Sequence, residues 1–337
     1  MTGKEESIRA RLKAVAARKG ISFQYATLLY MHEGFLRRLA VSSYRDRFIL
    51  KGGLLLQCLS ESSSRTTKDI DLLGNGIAND PATIKKIIST IIVATEDDAL
   101  RFDQDSLTVE DIMEGNEYHG IRIHITCYLG NIRNTIQVDI GFGDAVETPF
   151  REINYPILVD GRKFSMLSYP LSTVIAEKFE TMVALADINS RMKDFWDVAY
   201  LLENFDIPEE ELAQALNATF QNRGTPLPAE PTVFSSSFAS SEAALTRWKA
   251  FIQRSHLTNM EWAAVLSMIR TRLAPTYQTL KKDGNMSALS EYIDSRKKRD
   301  TEFERNYEAG YKDFKAGLSS IESKEEDGTR GKPAKKQ

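Results

Sequence analysis

Apolar residues recur at helical spacing near the start of the chain. This pattern predicts helices over residues 4–20 and 23–42, separated by Gly20. A short apolar run at Phe48–Lys51 then predicts a strand, and residues 53–59 predict the helix that follows it. The first part of the chain is therefore expected to lead through two helices into a strand, a Gly-Gly turn and a short helix.

Strand-like alternation of apolar and polar residues dominates the next part of the chain. An Asp-Ile-Asp segment at Asp69–Asp71 lies within an apolar run and ends in the turn residues 74–76. Residues 81–95 predict a helix, with proline at the start and isoleucine repeated along it. Alternation then predicts further strands, at residues 107–113, 121–128 and 135–142, with a hairpin over 157–166.

After Ser168 the pattern becomes helical. Helices are predicted over residues 170–186, 192–204, 208–220, 240–254, 259–280 and 286–316, with a kink or break at Pro275. The fold class is therefore α+β with a mixed sheet. Residues 1–166 form a sheet domain with N-terminal helices, residues 167–321 form an all-helical C-terminal domain, and residues 322–337 form a disordered tail because they contain almost no apolar residues.

Composition places the chain among globular proteins. Its 337 residues are 42% hydrophobic and 27% charged, and the net charge of -3 excludes a global basic field for nucleic acid but leaves a local basic groove open. Cys58 and Cys127 lie in apolar surroundings and indicate a reducing compartment. We find no secretory signal and no apolar run of roughly 20 residues, so we expect a cytoplasmic protein without membrane spans.

The Asp-Ile-Asp strand is the first candidate for chemistry. Because side chains at i and i+2 share a face of a strand, Asp69 and Asp71 project side by side. Two adjacent carboxylates repel unless a cation lies between them, and Mg2+ commonly binds one or two carboxylates together with substrate phosphates. Most isolated Asp-x-Asp pairs lie in surface turns or helix caps. Here the pair lies inside an apolar run and follows the Gly52-Gly53 turn, which favours a functional role.

A third carboxylate, Asp139, interrupts the apolar strand over residues 135–142. If that strand neighbours the Asp69 strand, the three carboxylates converge and can hold two divalent cations about 3.5–4 Å apart for phosphoryl or nucleotidyl transfer. Gly52 and Gly53 would let backbone amides approach a triphosphate, and Lys51 lies beside that turn.

Two further signals lie in the helical half. Lys178 interrupts the apolar stripe of its helix, which indicates either a lysine that reaches the helix edge or one that binds a triphosphate, with Thr181 one turn away. In the second reading, Lys178→Ala weakens NTP use and leaves folding intact. Residues 189–197 read either as a capped, salt-bridged helix start or as a phosphate grip in which Asp194 orients Arg191 and Lys193.

Other common sites are excluded by spacing. The chain has no Gly-x-x-x-x-Gly-Lys-Ser/Thr P-loop and no Gly-x-Ser-x-Gly elbow. Its four histidines have no zinc-site spacing.

With these segments in order, the chain resembles the AbiEii/AbiGii toxin family, in its MenT-like branch. Four motifs over roughly residues 20–205 support this resemblance. They are Lys51-Gly52-Gly53 with Arg65-x-Thr67-x-Asp69-Ile70-Asp71, Val138-Asp139-Ile140, Glu177-Lys178-x-x-Thr181, and Arg191-x-Lys193-Asp194-x-x-Asp197. The chain departs from the wider superfamily at Gly53, where a serine is usual.

The resemblance implies a polymerase-β-like nucleotidyltransferase core and a toxin of a bacterial toxin–antitoxin or phage-defence pair, with a separately encoded antitoxin. It implies transfer of a nucleotide from an NTP to RNA, with the tRNA 3′ end at the acceptor stem as the expected target. It also implies roles for individual residues. Asp69, Asp71 and Asp139 would bind Mg2+, Lys178, Arg191, Lys193 and Asp194 would form the nucleotide pocket, and Thr67 would replace a hydroxyl residue that contacts or receives phosphate in related toxins.

Several alternatives remain open at this level. The acceptor could be a protein hydroxyl, which gives NMPylation, or phosphate could pass to an antitoxin or kinase target. A non-catalytic module that binds NTP or the antitoxin is the alternative from a different class, although pure binding does not need all three carboxylates.

Overall fold

The structure is a computed structural model of the 337-residue chain. It describes residues 2–60, 66–114, 117–255, 257 and 260–299. Packing divides the chain into one compact unit of residues 1–277 and a second of residues 278–337. The tail predicted at residues 322–337 lies outside the described residues, and the division of the first 321 residues into two functional domains stays a prediction.

Seven strands and ten helices make up the regular structure of the described residues. The strands are β1 (Phe48–Lys51), β2 (Asp69–Gly74), β3 (Leu100–Glu114), β4 (Glu117–Leu129), β5 (Ile132–Gly141), β6 (Arg151–Pro156) and β7 (Lys163–Ser168). The helices are α1 (Gly3–Lys19), α2 (Phe23–Val41), α3 (Gly52–Leu59), α4 (Pro81–Ile92), α5 (Leu171–Leu185), α6 (Met192–Asn204), α7 (Glu209–Arg223), α8 (Ser236–Ala239), α9 (Glu242–Ser255) and α10 (Trp262–Arg299). Short 3-10 turns lie at Ala186–Ile188 and Thr232–Phe234.

All seven strands belong to one mixed sheet, in the order β3-β4-β5-β2-β1-β7-β6. The central strands β2 and β5 run parallel to each other, and β1 also pairs in parallel with β7. The other neighbouring pairs are antiparallel. Strand β2 therefore lies between β5 and β1, so that its side chains can meet those of both neighbours.

The alternation along the central strands separates a buried face from a polar one. Ile136, Val138 and Ile140 of β5 are fully buried, as are Ile70 and Leu72 of β2. Because successive side chains point to opposite faces, the aspartates between them lie on the other, accessible face. Helix α4 covers β3 with a row of buried isoleucines, and its start is fixed by Asp80, which accepts a hydrogen bond from the Thr83 N–H.

Helix α2 packs against β5, β7 and α4, and it is anchored by buried charges. The carboxylate of Asp98, just before β3, accepts hydrogen bonds from Arg38 at 2.6 Å and from Arg37 at 2.9 Å. Buried ions are tolerated where they are paired and hydrogen-bonded in this way. The contacts fix α2 against the chain that enters the outer part of the sheet.

The α+β prediction with a mixed sheet followed by helices is confirmed. Two details differ. The hairpin exists, but its first strand is β6 rather than residues 157–159, because β6 is a largely exposed strand whose charged residues hide its pattern. The two helices expected over residues 259–280 and 286–316 form the single helix α10 in the described part of the chain, which continues through Pro275.

Within the described part of the chain, no helix combines the length and apolar character needed to cross a membrane.

Candidate active site

The register between two parallel strands brings the three predicted carboxylates together. Asp71 of β2 lies directly opposite Asp139 of β5, and Asp69 lies opposite Gln137. One oxygen from each of Asp69, Asp71 and Asp139 lies within 4.8 Å of the other two. The condition set by the sequence pattern, that the two strands be neighbours, is met by this pairing. We refer to these three residues as the acidic triad.

The turn before α3 is shaped by its closeness to the triad. Gly52 has a φ of 64°, and a Cβ at this position would overlap the carboxylate of Asp71. The backbone N–H of Gly53 donates to Asp71 Oδ2 at 3.4 Å. Glycine is therefore required at position 52, both by its backbone conformation and by the carboxylate beside it.

Thr67 fills the space that a side chain at position 53 would need. A Cβ on Gly53 would lie 2.6 Å from the Thr67 hydroxyl oxygen and 2.7 Å from its Cβ, shorter than any real contact. The Thr67 hydroxyl donates to Asp69 Oδ1 at 2.8 Å. The Thr67 hydroxyl therefore lies beside position 53, where the sequence lacks the expected serine.

The three carboxylates of the acidic triad repel one another electrostatically. Burial raises the pKa of Asp71 above its usual value, and the charge of Asp69 raises it further, while Lys51 opposes both effects. Negative charge confined in this way favours a bound cation. The donors are carboxylate oxygens, which are the ligands that Mg2+ prefers, so the residues present fit a divalent metal ion.

Lys51 is engaged by several groups beside the triad. It lies opposite Asp71 in the β1–β2 register. Its ammonium pairs with Asp144 at 2.5 Å, lies 3.7 Å from Glu177, and faces the ring of Tyr169. Burial alone would lower the pKa of Lys51, but Glu177 and Asp144 more than offset this and raise it. Lys51 is therefore a fixed positive charge next to the acidic triad.

A second cluster forms around Lys178 on α5. Its ammonium lies 2.6 Å from Asp194 Oδ1 and 2.8 Å from Asp197 Oδ2, and both carboxylates are fully buried. Arg191 holds the other oxygen of Asp194 at 2.6 Å. Burial raises the pKa of Asp194, but Lys178 and Arg191 outweigh it and lower the pKa overall. Lys178, Arg191, Asp194 and Asp197 are called the α5–α6 cluster below.

The remaining predicted residues lie around these two groups. Thr181 donates to the Glu177 carbonyl oxygen at 2.9 Å, and Arg223 lies 3.3 Å from the Thr181 hydroxyl. Lys193 is exposed in the first turn of α6. Arg65 lies outside the described residues.

The family of the chain is decided by comparison with protein-family models. Residues 34–268 match the model of the nucleotidyl transferase AbiEii toxin, type IV TA system. The chain belongs to the AbiEii family. It is thus a nucleotidyltransferase toxin of a type IV toxin–antitoxin system, which implies a nucleotide substrate and an antitoxin partner.

Comparison with solved structures and curated proteins adds similarity at low identity. The crystal structure of JHP933 from Helicobacter pylori is 14% identical with a TM-score of 0.44, and the match covers 80% of this chain and 99% of that one. A candidate nucleotidyltransferase from H. pylori is 14% identical with a TM-score of 0.45, covering 78% and 98%. No curated protein matches.

Several residues of this AbiEii-family site were missed by sequence reasoning. Arg122 of β4 makes a two-pronged ion pair with Asp139, with Nε and Nη2 each 2.8 Å from a carboxylate oxygen. Gln137 donates to the same carboxylate at 3.1 Å. The available signal was the polar alternation of β4, but only the register places Arg122 opposite Asp139.

Asp144, Tyr169 and Arg223 were missed as well. Asp144 lies in the loop after β5 and Tyr169 follows β7 directly, while Arg223 reaches Glu180 at 2.5 Å and Glu177 at 3.9 Å from the last turn of α7. No spacing within the sequence relates these positions. The arrangement places an acidic triad that could hold a metal ion beside a network in which Lys51 and Arg223 are paired with buried or half-buried carboxylates.

Proposed function

We propose that this toxin transfers a nucleoside monophosphate from an NTP to the 3′ hydroxyl of an RNA, with the tRNA 3′ end as the expected acceptor. Translation would then be blocked, in toxin–antitoxin function or phage defence. The observation that supports the proposal most directly is the acidic triad, whose oxygens lie within 4.8 Å of one another beside a glycine turn. A cluster of this geometry suits metal-assisted transfer of phosphorus groups.

Asp69, Asp71 and Asp139 would hold Mg2+. When bound, Mg2+ would lower the pKa of the attacking hydroxyl and neutralise charge on the departing pyrophosphate. Arg122 and Gln137 fix the carboxylate of Asp139 from the neighbouring strand positions. These contacts orient the third ligand before substrate arrives.

The nucleotide would be gripped from two sides. On one side, the Gly52-Gly53 turn at the start of α3 would present its backbone amides to the triphosphate. On the other side, Asp194 orients Lys178 and Arg191, and the latter keeps 48% of its side chain exposed toward solvent. Thr181 and the exposed Lys193 would complete the pocket, with Thr67 and Lys51 on the triphosphate side.

The reaction balances without any further reagent. The acceptor oxygen forms a bond to the α-phosphorus, and the bond from that phosphorus to the bridging oxygen breaks. Pyrophosphate leaves with the bonding electron pair, and the hydroxyl proton passes to solvent. Catalysis is then mostly positioning and charge neutralisation, for which buried cations and oriented carboxylates are effective.

The test is a label-transfer assay. Purified protein is incubated with Mg2+, total tRNA and each NTP labelled at the α- or the γ-phosphate. We expect α-label on RNA, lost by about a hundredfold or more in Asp69→Asn, as when other preorganised electrostatic groups are removed. Asp206→Asn, an exposed aspartate after α6, is the matched control and should retain activity.

Three outcomes contradict the proposal in different ways. Label on a protein from the α-position indicates NMPylation, and label only from the γ-position indicates phosphate transfer. Bound NTP without label on any macromolecule indicates a binding module.

A further inference from the structure

The polar face of the sheet continues beyond the acidic triad in register rows across β5, β4 and β3. Directly beside the triad, Asp139 lies opposite Arg122, which in turn lies opposite Glu110. In the next row, Gln137 lies opposite His124. The intervening residues of β4 and β5 are fully buried, so all members of these rows lie on the accessible face.

The far end of this face carries an aromatic residue between two arginines. Tyr128 of β4 lies opposite Arg133 of β5 on one side and Arg101 of β3 on the other. The guanidinium carbon of Arg101 is 4.1 Å from the centre of the Tyr128 ring. Both arginines are exposed and the tyrosine is half-buried. Among the residues that the structure describes, no carboxylate forms an ion pair with Arg133.

The far end is connected to the triad along β5. Arg133 and Asp139 are six positions apart on β5, which corresponds to about 20 Å at roughly 3.4 Å per residue. Thr135 lies exposed between them, whereas on the β3 side a bulge between Asp103 and Thr108 brings Ser106 over Thr126. The open path therefore follows β5 and the adjoining part of β4.

We propose that this face binds the RNA strand that leads to the acceptor 3′ hydroxyl, a statement that rests on the proposed function. Tyr128 and Arg101 form a platform on which a base stacks, and Arg133 faces the phosphates, while Arg122 stays paired with Asp139. Aromatic rings and guanidinium planes are the usual stacking partners of unpaired bases. The length of about 20 Å suits roughly six stacked nucleotides, or fewer in an extended strand.

The chemistry of the face favours RNA over a protein partner. Its described side chains are charged, polar or aromatic, whereas the core of a protein–protein interface is depleted in charge. Outside the triad, the acidic members Asp103 and Glu110 lie on the outer strand β3, opposite Thr126 and Arg122, and Glu110 is 3.8 Å from His124. Arg122 and Arg133 lie on β4 and β5, where the RNA strand would run, and the two carboxylates lie on the outer strand.

The test compares Tyr128→Ala and Arg133→Ala with Arg162→Ala, which removes the same charge from the β6–β7 turn at the opposite edge of the sheet. Transfer of α-labelled nucleotide to total tRNA gives KM for RNA and KM for NTP separately. Loss of one stacked base should raise KM for RNA by about fivefold to a hundredfold with KM for NTP unchanged. Tyr128→Phe should behave like the unaltered protein. Arg133→Ala should also reduce the slope of log affinity against log salt by about 0.7, measured with a short fluorescein-labelled single-stranded RNA.

The outcomes separate this surface from the proposed function. If the unaltered protein labels RNA and the Tyr128→Ala and Arg133→Ala proteins, shown folded by circular dichroism, keep its KM for RNA, the surface is refuted and the function stands. If these variants lose only neutralisation by the antitoxin, the face binds protein and the proposal is equally wrong. If the unaltered protein labels no RNA, the proposed function itself has failed.

Discussion

Lys178 lies with its ammonium between two carboxylates that are completely shielded from water. The distances to Asp194 and Asp197 are 2.6 and 2.8 Å, and Lys178 itself is 12% exposed. The sequence alone suggested that Lys178→Ala would leave folding intact. The geometry predicts otherwise, because removing the lysine leaves two buried carboxylates with one fewer cation.

The size of the stability loss in Lys178→Ala follows from the burial of its two carboxylate partners. Removing one partner of a buried ion pair typically costs about 3–5 kcal/mol, because the remaining charge is uncompensated. For a unit of this size, a change of 1 kcal/mol shifts the melting temperature by about 2 °C, so we expect a fall of roughly 6–10 °C. Lys85→Ala, at an exposed position on α4, should change stability by no more than about 0.5 kcal/mol.

The stability lost in Lys178→Ala should depend on pH. The pKa of Asp194 is lowered in the folded protein, so its ion pairs contribute stability above the unfolded pKa of about 3.9, and this contribution is lost as pH falls through the folded value. Lys178 is the largest favourable influence on that pKa. The difference between the unaltered protein and Lys178→Ala should therefore grow as pH rises through the acidic range and be complete at neutral pH.

Urea and thermal unfolding from about pH 2 to pH 7, a range that includes the window below the unfolded pKa, measure this difference. Neutralising both carboxylates as well, in Lys178→Met with Asp194→Asn and Asp197→Asn, should recover much of the stability, because the buried charges are replaced by uncharged groups. A loss below about 1 kcal/mol at neutral pH, or a loss independent of pH, would refute the reasoning and show that Lys178 is held only loosely.

Two further predictions concern the acidic triad and the glycine turn. Asp71→Asn removes a carboxylate whose charged form is disfavoured by burial and by Asp69, so the melting temperature of this variant in EDTA should rise at neutral pH. Mg2+ should then stabilise the unaltered protein but not the variant, and equal stabilisation of both would place the metal elsewhere. Gly53→Ser should cost about 1–3 kcal/mol through overlap with Thr67, and adding Thr67→Gly should recover part of the loss in urea unfolding; strictly additive effects would contradict the overlap.

Much of this site could be predicted because the positions of its carboxylates follow from local patterns in the sequence. Asp69 and Asp71 share a strand face by the period of two, and Asp139 interrupts an apolar strand in the same way. Helix α6 begins at Met192 and ends at Asn204, as its apolar spacing predicts. These features depend on neighbours within a few residues, which sequence patterns describe well.

The missed residues depend on long-range pairing. Arg122 meets Asp139 only because β4 and β5 pair in one particular register, and a shift by one residue would turn it to the other face. Arg223 reaches Glu180 from 43 residues away. Gly53 stands where the sequence comparison led us to expect a serine. Thr67, which occupies the space beside it, approaches from a separate segment of the chain.

Adjacent residues of α5 connect the acidic triad with the α5–α6 cluster. Glu177 lies 3.7 Å from Lys51, which stands opposite Asp71, while Lys178 contacts Asp194. Burial raises the pKa of Glu177, and the nearby cations, Lys51 foremost, counteract it. Charge therefore alternates in sign from the triad through Lys51 and Glu177 to Lys178. Because Lys51 and Glu177 keep only 19% of their side chains exposed and Lys178 also acts on the pKa of Glu177, the charge on the triad influences the electrostatics of the α5–α6 cluster.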